Sequence, residues 1–308
     1  MTEWRPDAPE ALLEEVADGV FAYVQHDGGW WVNTTGFIAG SSSVVAVDSC
    51  ATYRRTRALL SVIAERTGCP VRTLVNTHFH GDHTHGNVLF DGAIVVGHEL
   101  CRTAIQRDTL LAEPPRVFEP VPDWGPLRLR PPELTFTDTM TLWLDDREIQ
   151  LDAVGRPAHT DADVLAWVPG PGVLFTGDLV FNGGTPMLLQ GSVTGYLAAL
   201  ESVRAYDVTV LVPGHGRPCG PEVLDVLSRY ARFVLDTAAS ARDAGLTPLE
   251  AAHGVDLGEF AGLLDPERIV LNLHRAYADL DGSPSADVPA AFADAVAWNG
   301  GRLLRCDV

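Results

Sequence analysis

The chain has 308 residues, 46% of them hydrophobic and 20% charged, the balance of a globular protein with ample material for a buried core. Acids outnumber bases 41 to 22, for a formal charge of −19, and every base is an arginine. A surface of that sign repels phosphate backbones and anionic lipid heads, so neither nucleic acid nor membrane is an expected partner.

The first stretch, Met1 to Glu15, is acidic and broken by Pro6 and Pro9, unlike a signal or transit peptide. No apolar run approaches the ~20 residues of a membrane span. The five cysteines (Cys50, Cys69, Cys101, Cys219, Cys306) are scattered, odd in number and without a C-x-x-C pair, which argues against a disulfide framework. A reducing cytoplasm is the expected location. Gly19–Gln25 and Trp31–Ala39 are predicted strands around the turn His26-Asp27-Gly28-Gly29, and Ser43–Val47 is a third, ending at Asp48. Arg54–Arg66 carries Leu59, Leu60 and Ile63 at helical spacing and stops at Gly68-Cys69-Pro70.

Val71–Val75 is an apolar, β-branched run between Pro70 and Asn76, the pattern of a buried strand. Within a few residues of its end come His78, His80, Asp82 and His83. One or two such residues would be read as a solvated loop. Imidazoles and a carboxylate at this density are instead the ligand types that borderline divalent metals prefer. Gly81 lets the backbone turn tightly, so that ligands close in sequence can face a common centre.

Ala93–Val96 is a further strand and Leu100–Leu111 a predicted helix. Glu113–Pro132 holds seven prolines together with Phe118 and Trp124, too many for regular structure. Linkers are seldom aromatic, so a flap over a pocket is the preferred reading, with Phe118 and Trp124 lining the mouth opposite Trp30 or Trp31. Strands resume at Leu134, with Thr141–Leu144, Arg147–Ala153, Val164–Val168 and Val173–Phe175, then helix Val193–Tyr206 and strand Val208–Val212. Helices follow at Glu222–Ala244, Pro248–Ala252, Leu257–Leu264 and Pro266–Leu280.

Strands then helix, twice over, predict an α/β protein, a four-layer αββα sandwich of two similar halves. Residues 1–220 would form it, and residues 221–308 a C-terminal helical extension. The extension's apolar face, Val270, Leu271, Leu273 and Tyr277, packs on the core or on a second copy, which leaves a homo-oligomer open. Three later strand ends also deliver a ligand type beside Gly or Pro, namely His159, Asp178 and His215. Each alone could be a capping Asp or a loop His; together with the first cluster they surround the place where open sheets gather their chemistry.

The H-x-H-x-D-H run and these later segments, in that order, resemble the metallo-β-lactamase fold superfamily from roughly Gly19 to Gly216. The resemblance implies that His78, His80 and His159 hold one metal. Asp82, His83 and His215 would hold another, with Asp178 bridging and Asp48 supporting the site from below. His85 matches no ligand, and Gly86-Asn87 fits the pattern after the motif. Drug-resistance β-lactamases of the commonest type carry Cys where Asp178 stands. The carboxylate set is that of glyoxalase II-like thioesterases, lactonases and ribonuclease Z-like nucleases, the last disfavoured by the acidic surface.

The expected activity is hydrolysis of an ester, thioester, lactone or amide in a small molecule. Two divalent ions ~3.5–4 Å apart would share a hydroxide, with Asp82 and Asp178 as the catalytic carboxylates. Zinc is the expected ion, and iron and manganese suit the same ligands. Two alternatives remain: a mononuclear iron dioxygenase of the persulfide dioxygenase type on His78, His159 and Asp178, and a binding protein that keeps metal without turnover. Metal content and a substrate screen separate the three.

Overall fold

The computed structural model describes residues 11–26 and 28–308. Asp27, in the turn predicted at His26–Gly29, and residues 1–10, within the stretch read for a leader, lie outside them. In chain order the first half gives β1 (Leu12–Ala17), β2 (Val20–Val24), β3 (Thr34–Ala39), β4 (Val44–Val47), α1 (Tyr53–Thr67), β5 (Val71–Val75), α2 (Gly81–Thr84), β6 (Ile94–His98) and α3 (Glu99–Arg107). Then come β7 (Phe118–Glu119), β8 (Leu134–Phe136), β9 (Thr139–Leu144), β10 (Arg147–Ala153), β11 (Val164–Val168), β12 (Val173–Phe181), α4 (Val193–Val203) and β13 (Val210–His215). The remainder is α5 (Val223–Asp243), α6 (Pro248–Gly254), α7 (Arg268–Leu280), α8 (Val288–Trp298) and β14 (Leu304–Arg305).

Two sheets stack face to face. The first runs β1-β2-β3-β4-β5-β6-β8 and the second β13-β12-β11-β10-β9. Between them lies an aliphatic layer that includes Ile38, Val47 and Val75 from one sheet and Ile149, Val164 and Phe175 from the other. The outer face of the first sheet packs Phe37 and Leu74 against Leu59 and Ile63 of α1. The outer face of the second packs Leu165 and Trp167 in a cluster with Tyr196 and Leu200 of α4, Tyr230 of α5 and Leu271 of α7. This is the four-layer αββα order. Each fully buried Leu, Ile or Phe in these layers contributes about 1.5–3 kcal/mol.

Both sheets bring their parallel strands to the centre of the site. β4, β5 and β6 run parallel in one, and β12 and β13 in the other. Parallel strands are buried on both faces, which is why β4 and the opening stretches of β12 and β13, Val173–Phe175 and Val210–Val212, read as unbroken apolar runs rather than alternating ones. Helix α1 is held as its sequence indicates, with Thr52 Oγ1 accepting from Arg55 N and Gly68 closing the end at φ 65°.

Three expectations are corrected and one element is added. The addition is β1, where the sequence reading placed no element, and which pairs antiparallel with β2. The strand expected from Trp31 begins at Thr34, because Trp31 sits at φ 65°, which extended backbone cannot accommodate. The helix expected at Leu257–Leu264 shrinks to one 3-10 turn at Gly258–Phe260. There Gly258 takes φ 51° and Leu264 is drawn into a β-bridge with Gly184. Finally, the proline-rich segment is not all irregular: Phe118–Glu119 pairs parallel with β14, so residues 304–305 hold its middle in place. Among the described residues no helix is long and apolar enough to cross a membrane.

Candidate metal centre

The end of β5 is shaped by Asp48, which follows β4 at φ 62°, a left-handed conformation that costs a non-glycine residue energy. In return its carboxylate reaches across to the neighbouring strand end. Oδ1 accepts from Thr77 N at 2.8 Å, and Oδ2 accepts from Thr77 Oγ1 at 2.7 Å and from His83 Nδ1 at 2.8 Å. Asp48 therefore fixes both ends of the loop that carries the histidines. Gly81 serves differently from the turn expected of it. It is helical, opening α2, and a Cβ there would lie 2.3 Å from the His85 ring. The residue is small because His85 packs against it.

The seven candidate ligands arrive from four places. His78, His80, Asp82 and His83 come from the β5 end and α2, His159 from the loop after β10, Asp178 from within β12, and His215 from the end of β13. They fall into two compact groups, His78, His80, His159 and Asp178 in one, and Asp82, His83 and His215 in the other; within each, the ligand atoms lie within 4.8 Å of one another. Asp178 stands between the groups. Its Oδ1 is 3.1 Å from His83 Nε2, and its Oδ2 is 3.3 Å from His159 Nε2 and 3.4 Å from His215 Nε2. Close approach requires Gly214, since a Cβ there would meet Asp178 Oδ1 at 1.9 Å.

The tautomers settle what these nitrogens offer. His83 Nδ1 donates to Asp48, His159 Nδ1 to Met187 O at 2.6 Å and His215 Nδ1 to Gly28 O at 3.0 Å. His80 Nε2 donates to Gln190 Oε1 at 2.7 Å. Thr77 Oγ1 gives its own proton to Asp48 and so accepts from His78 Nδ1 at 3.0 Å. Every imidazole thus spends its N–H outward and turns a lone pair inward. The consequence is a set of acceptor-only contacts: His159 Nε2 faces His80 Nδ1 at 2.8 Å, and His83 Nε2 and Asp178 Oδ1 are buried without a hydrogen-bond partner. Lone pairs and carboxylates facing one another at these distances need cations between them. The residues fit divalent metal.

The titration behaviour says the same. Burial depresses His159 to about 3 and holds His78 well below its ordinary value. Burial also opposes charge on His215 and His83, but the carboxylates beside them outweigh it, holding His215 at about 9 and His83 well above the usual range. Protons on those two rings would neutralise Asp82 and Asp178 where metal does not, so metal binding should release protons. Behind His159, burial raises Asp163 to about 7 against three donors, His159 N, Thr160 N and Thr160 Oγ1.

A cavity of about 760 Å³ opens above the ligands, with His80, Asp82, Asp178 and His215 in its floor and Trp30, Trp31, Phe118, Phe181 and Phe292 in its walls. Trp124 does not line it. Its ring lies behind Trp31 at 4.8 Å and edge-on to His85 at 5.1 Å, and its Nε1 donates to Leu110 O. The prolines around it turn the chain inward and bury it, so Trp124 supports the wall instead of forming it. His85 is likewise interior, with Nε2 3.2 Å from Asp108 Oδ2. Sequence reading missed the outer anchors Thr77, Gln190, Met187 and Gly28. Two are backbone carbonyls, which leave no trace in residue type.

Residues 28–215 match the model of the metallo-beta-lactamase superfamily. Over 261 residues the chain is 22% identical to a linear primary-alkylsulfatase of a Pseudomonas species, covering 71% of this chain and 49% of that protein, so it spans about half that relative's length. Over 209 residues it is 28% identical to an acyl-coenzyme A thioesterase of Bos taurus, covering 61% of this chain and 74% of the other. The fold also matches a metallo-beta-lactamase from Pontibacter korlensis, at a TM-score of 0.61 and 18% identity over 72% of this chain and 99% of that one. The family match takes in more than half of the sequence and ends at the last of the candidate histidine ligands, and the chain belongs to the metallo-beta-lactamase superfamily.

Proposed function

We propose that the protein is a dinuclear-metal hydrolase acting on an ester, thioester, lactone or amide with an apolar acyl part. The observation that carries this is the convergence of five imidazole lone pairs and two carboxylates, in two separate groups, on the floor of an aromatic-walled cavity. Two divalent ions, zinc being the expected pair, would supply a water acidified toward neutral pH and an electrophile for the acyl oxygen. The chain supplies the rest. His78, His80 and His159 would hold one ion and Asp82, His83 and His215 the other, with Asp178 placed within reach of both groups. Asp82 faces both the cavity and His215, at 3.2 Å, and is the group placed to take the proton of the attacking water. Trp30, Phe118 and Phe292 shield the acyl part from solvent.

The thioesterase activity named for the bovine relative supports acyl transfer to water. The complete second group, Asp82, His83 and His215, speaks against a mononuclear iron dioxygenase on His78, His159 and Asp178. In this reading residues 1–220 are the catalytic unit, 221–308 pack upon it, and the protein works in the cytoplasm on a small molecule.

Elemental analysis of metal-loaded protein should give two equivalents per chain, falling to one in Asp82→Ala and in His83→Ala. A screen of esters, thioesters, lactones and lactams should give turnover that follows metal content. One equivalent, with both variants harmless, would sink the dinuclear reading; one iron with oxygen uptake would replace it by the dioxygenase.

The two aromatic residues of the proline-rich segment should separate in kinetics. Phe118→Ala opens the cavity wall and should raise KM about tenfold while metal content stays at the wild-type value. Trp124→Ala removes a buried ring that no substrate reaches, and should lower stability by about 3–5 kcal/mol. Thermal denaturation and initial rates on the best substrate decide; a KM effect in Trp124→Ala without loss of stability would contradict the placement.

A further inference from the structure

The cavity carries a charge balance unlike the rest of the molecule. Three arginines line it, Arg107, Arg116 and Arg268, against three aspartates and no glutamate, whereas the chain as a whole has 22 arginines to 41 acids. The aspartates are already engaged. Asp82 and Asp178 belong to the metal groups, and Asp108 accepts from His85 Nε2 and, at 2.6 Å, from Leu110 N. Arg268 is engaged too. It is buried, with Nη1 donating to Thr185 O, Nη2 2.8 Å from Asp265 and its guanidinium 4.2 Å over the Trp30 ring. Arg107, at the end of α3, and Arg116, before β7, differ. Both are exposed on the cavity rim, and among the described residues neither has an ion-pair or hydrogen-bond partner.

Two guanidinium groups without an ion-pair partner among the described residues, on the rim of a cavity whose floor fits divalent cations, make a place on an acidic molecule where an anion is attracted. We propose that the rim formed by Arg107 and Arg116 is an oxyanion subsite, and that the substrate joins an apolar acyl part to an anionic group distant from the bond that is cleaved. The acyl part lies on Trp30, Phe118 and Phe292, the bond over the metal groups, and the anion on the rim. Planar guanidinium suits a two-oxygen contact with sulfonate, phosphate or carboxylate alike. This assignment rests on the hydrolase reading for its meaning but not for its measurement.

The test uses two pairs of compounds on metal-loaded protein. The first pair is the non-hydrolysable S-octyl thioethers of 3-mercaptopropanesulfonate and of the neutral thiol N-acetylcysteamine, with binding followed by tryptophan fluorescence. The second is the octanoyl thioesters of the same thiols, followed by turnover. The sulfonate thioether should bind about tenfold tighter than the neutral one. Arg107→Gln with Arg116→Gln, or 0.5 M sodium chloride, should erase that preference. The neutral compound should bind the double variant as it binds wild type, which excludes misfolding as the cause. With the thioesters, the double variant should raise KM for the sulfonate alone and leave kcat unchanged. Equal binding of the two thioethers, or a preference that survives in the double variant, overturns the subsite. If the thioethers behave as expected and neither thioester is cleaved, the subsite stands and thioester hydrolysis falls.

Discussion

Asp178→Ala should retain no more than one metal ion per chain and lose more than about 10³-fold in kcat/KM, or about 4 kcal/mol of transition-state stabilisation at 1.36 kcal/mol per decade. The carboxylate lies within 3.1–3.4 Å of histidines from both groups, His83 from one and His159 from the other, with His215 also in reach. Remove it and two cations would be left facing each other with no shared anion, in a largely buried floor. The space is not refilled, because Gly214 has no side chain and Gly177, at φ 49°, lies against Thr77. Elemental analysis and initial rates read the result. Wild-type rates with two ions retained would remove Asp178 from the bridging position.

The second large effect is expected at a residue that touches no metal in this assignment. Asp48→Ala removes three hydrogen bonds at once, to Thr77 N, Thr77 Oγ1 and His83 Nδ1. It also leaves an alanine at φ 62°, which costs about 1–2 kcal/mol by itself. Unpairing the buried Thr77 amide and the His83 ring adds about 1–3 kcal/mol for each group left unsatisfied. The His83 ring, free to rotate or change tautomer, should hold its ion about 10–100-fold more weakly. Asp48→Asn separates the two contributions. Asparagine tolerates the left-handed backbone and can still accept from Thr77, so stability should recover more than metal affinity does. Chelator competition and thermal denaturation measure the two independently, and equal recovery of both would show that Asp48 acts on the fold alone.

The two-sheet sandwich was legible because its signals are local. A β-branched run such as Val71–Val75 and an amphipathic run such as Arg54–Arg66 each announce their own structure, and the order of elements then restricts how they stack. The ligand residues could be picked out for a related reason: His and Asp at strand ends, beside Gly or Pro, have few ordinary structural uses. What stayed hidden depended on contacts between distant segments. Nothing local marks Met187 and Gly28 as the carbonyls that hold His159 and His215. Nothing local shows that Leu264 would leave a helical pattern to pair with Gly184, or that Phe118 would find a partner strand at Leu304. Trp124 was misplaced because aromatic residues among prolines signal proximity to a cavity without indicating which side of its wall they occupy.

The pairing of Phe118–Glu119 with Leu304–Arg305 sets an order of events during synthesis. The last histidine of the metal groups is residue 215, and the strand that fastens the cavity wall follows about ninety residues later. At 5–20 residues per second a ribosome needs roughly 5–20 s for that interval. A nascent chain therefore has all seven candidate metal ligands well before the wall beside Phe118 is pinned and before Asp307 O is there to receive Arg55 Nη2. On the proposed function, loading with metal would precede closure of the pocket, through a more open mouth than the finished protein presents.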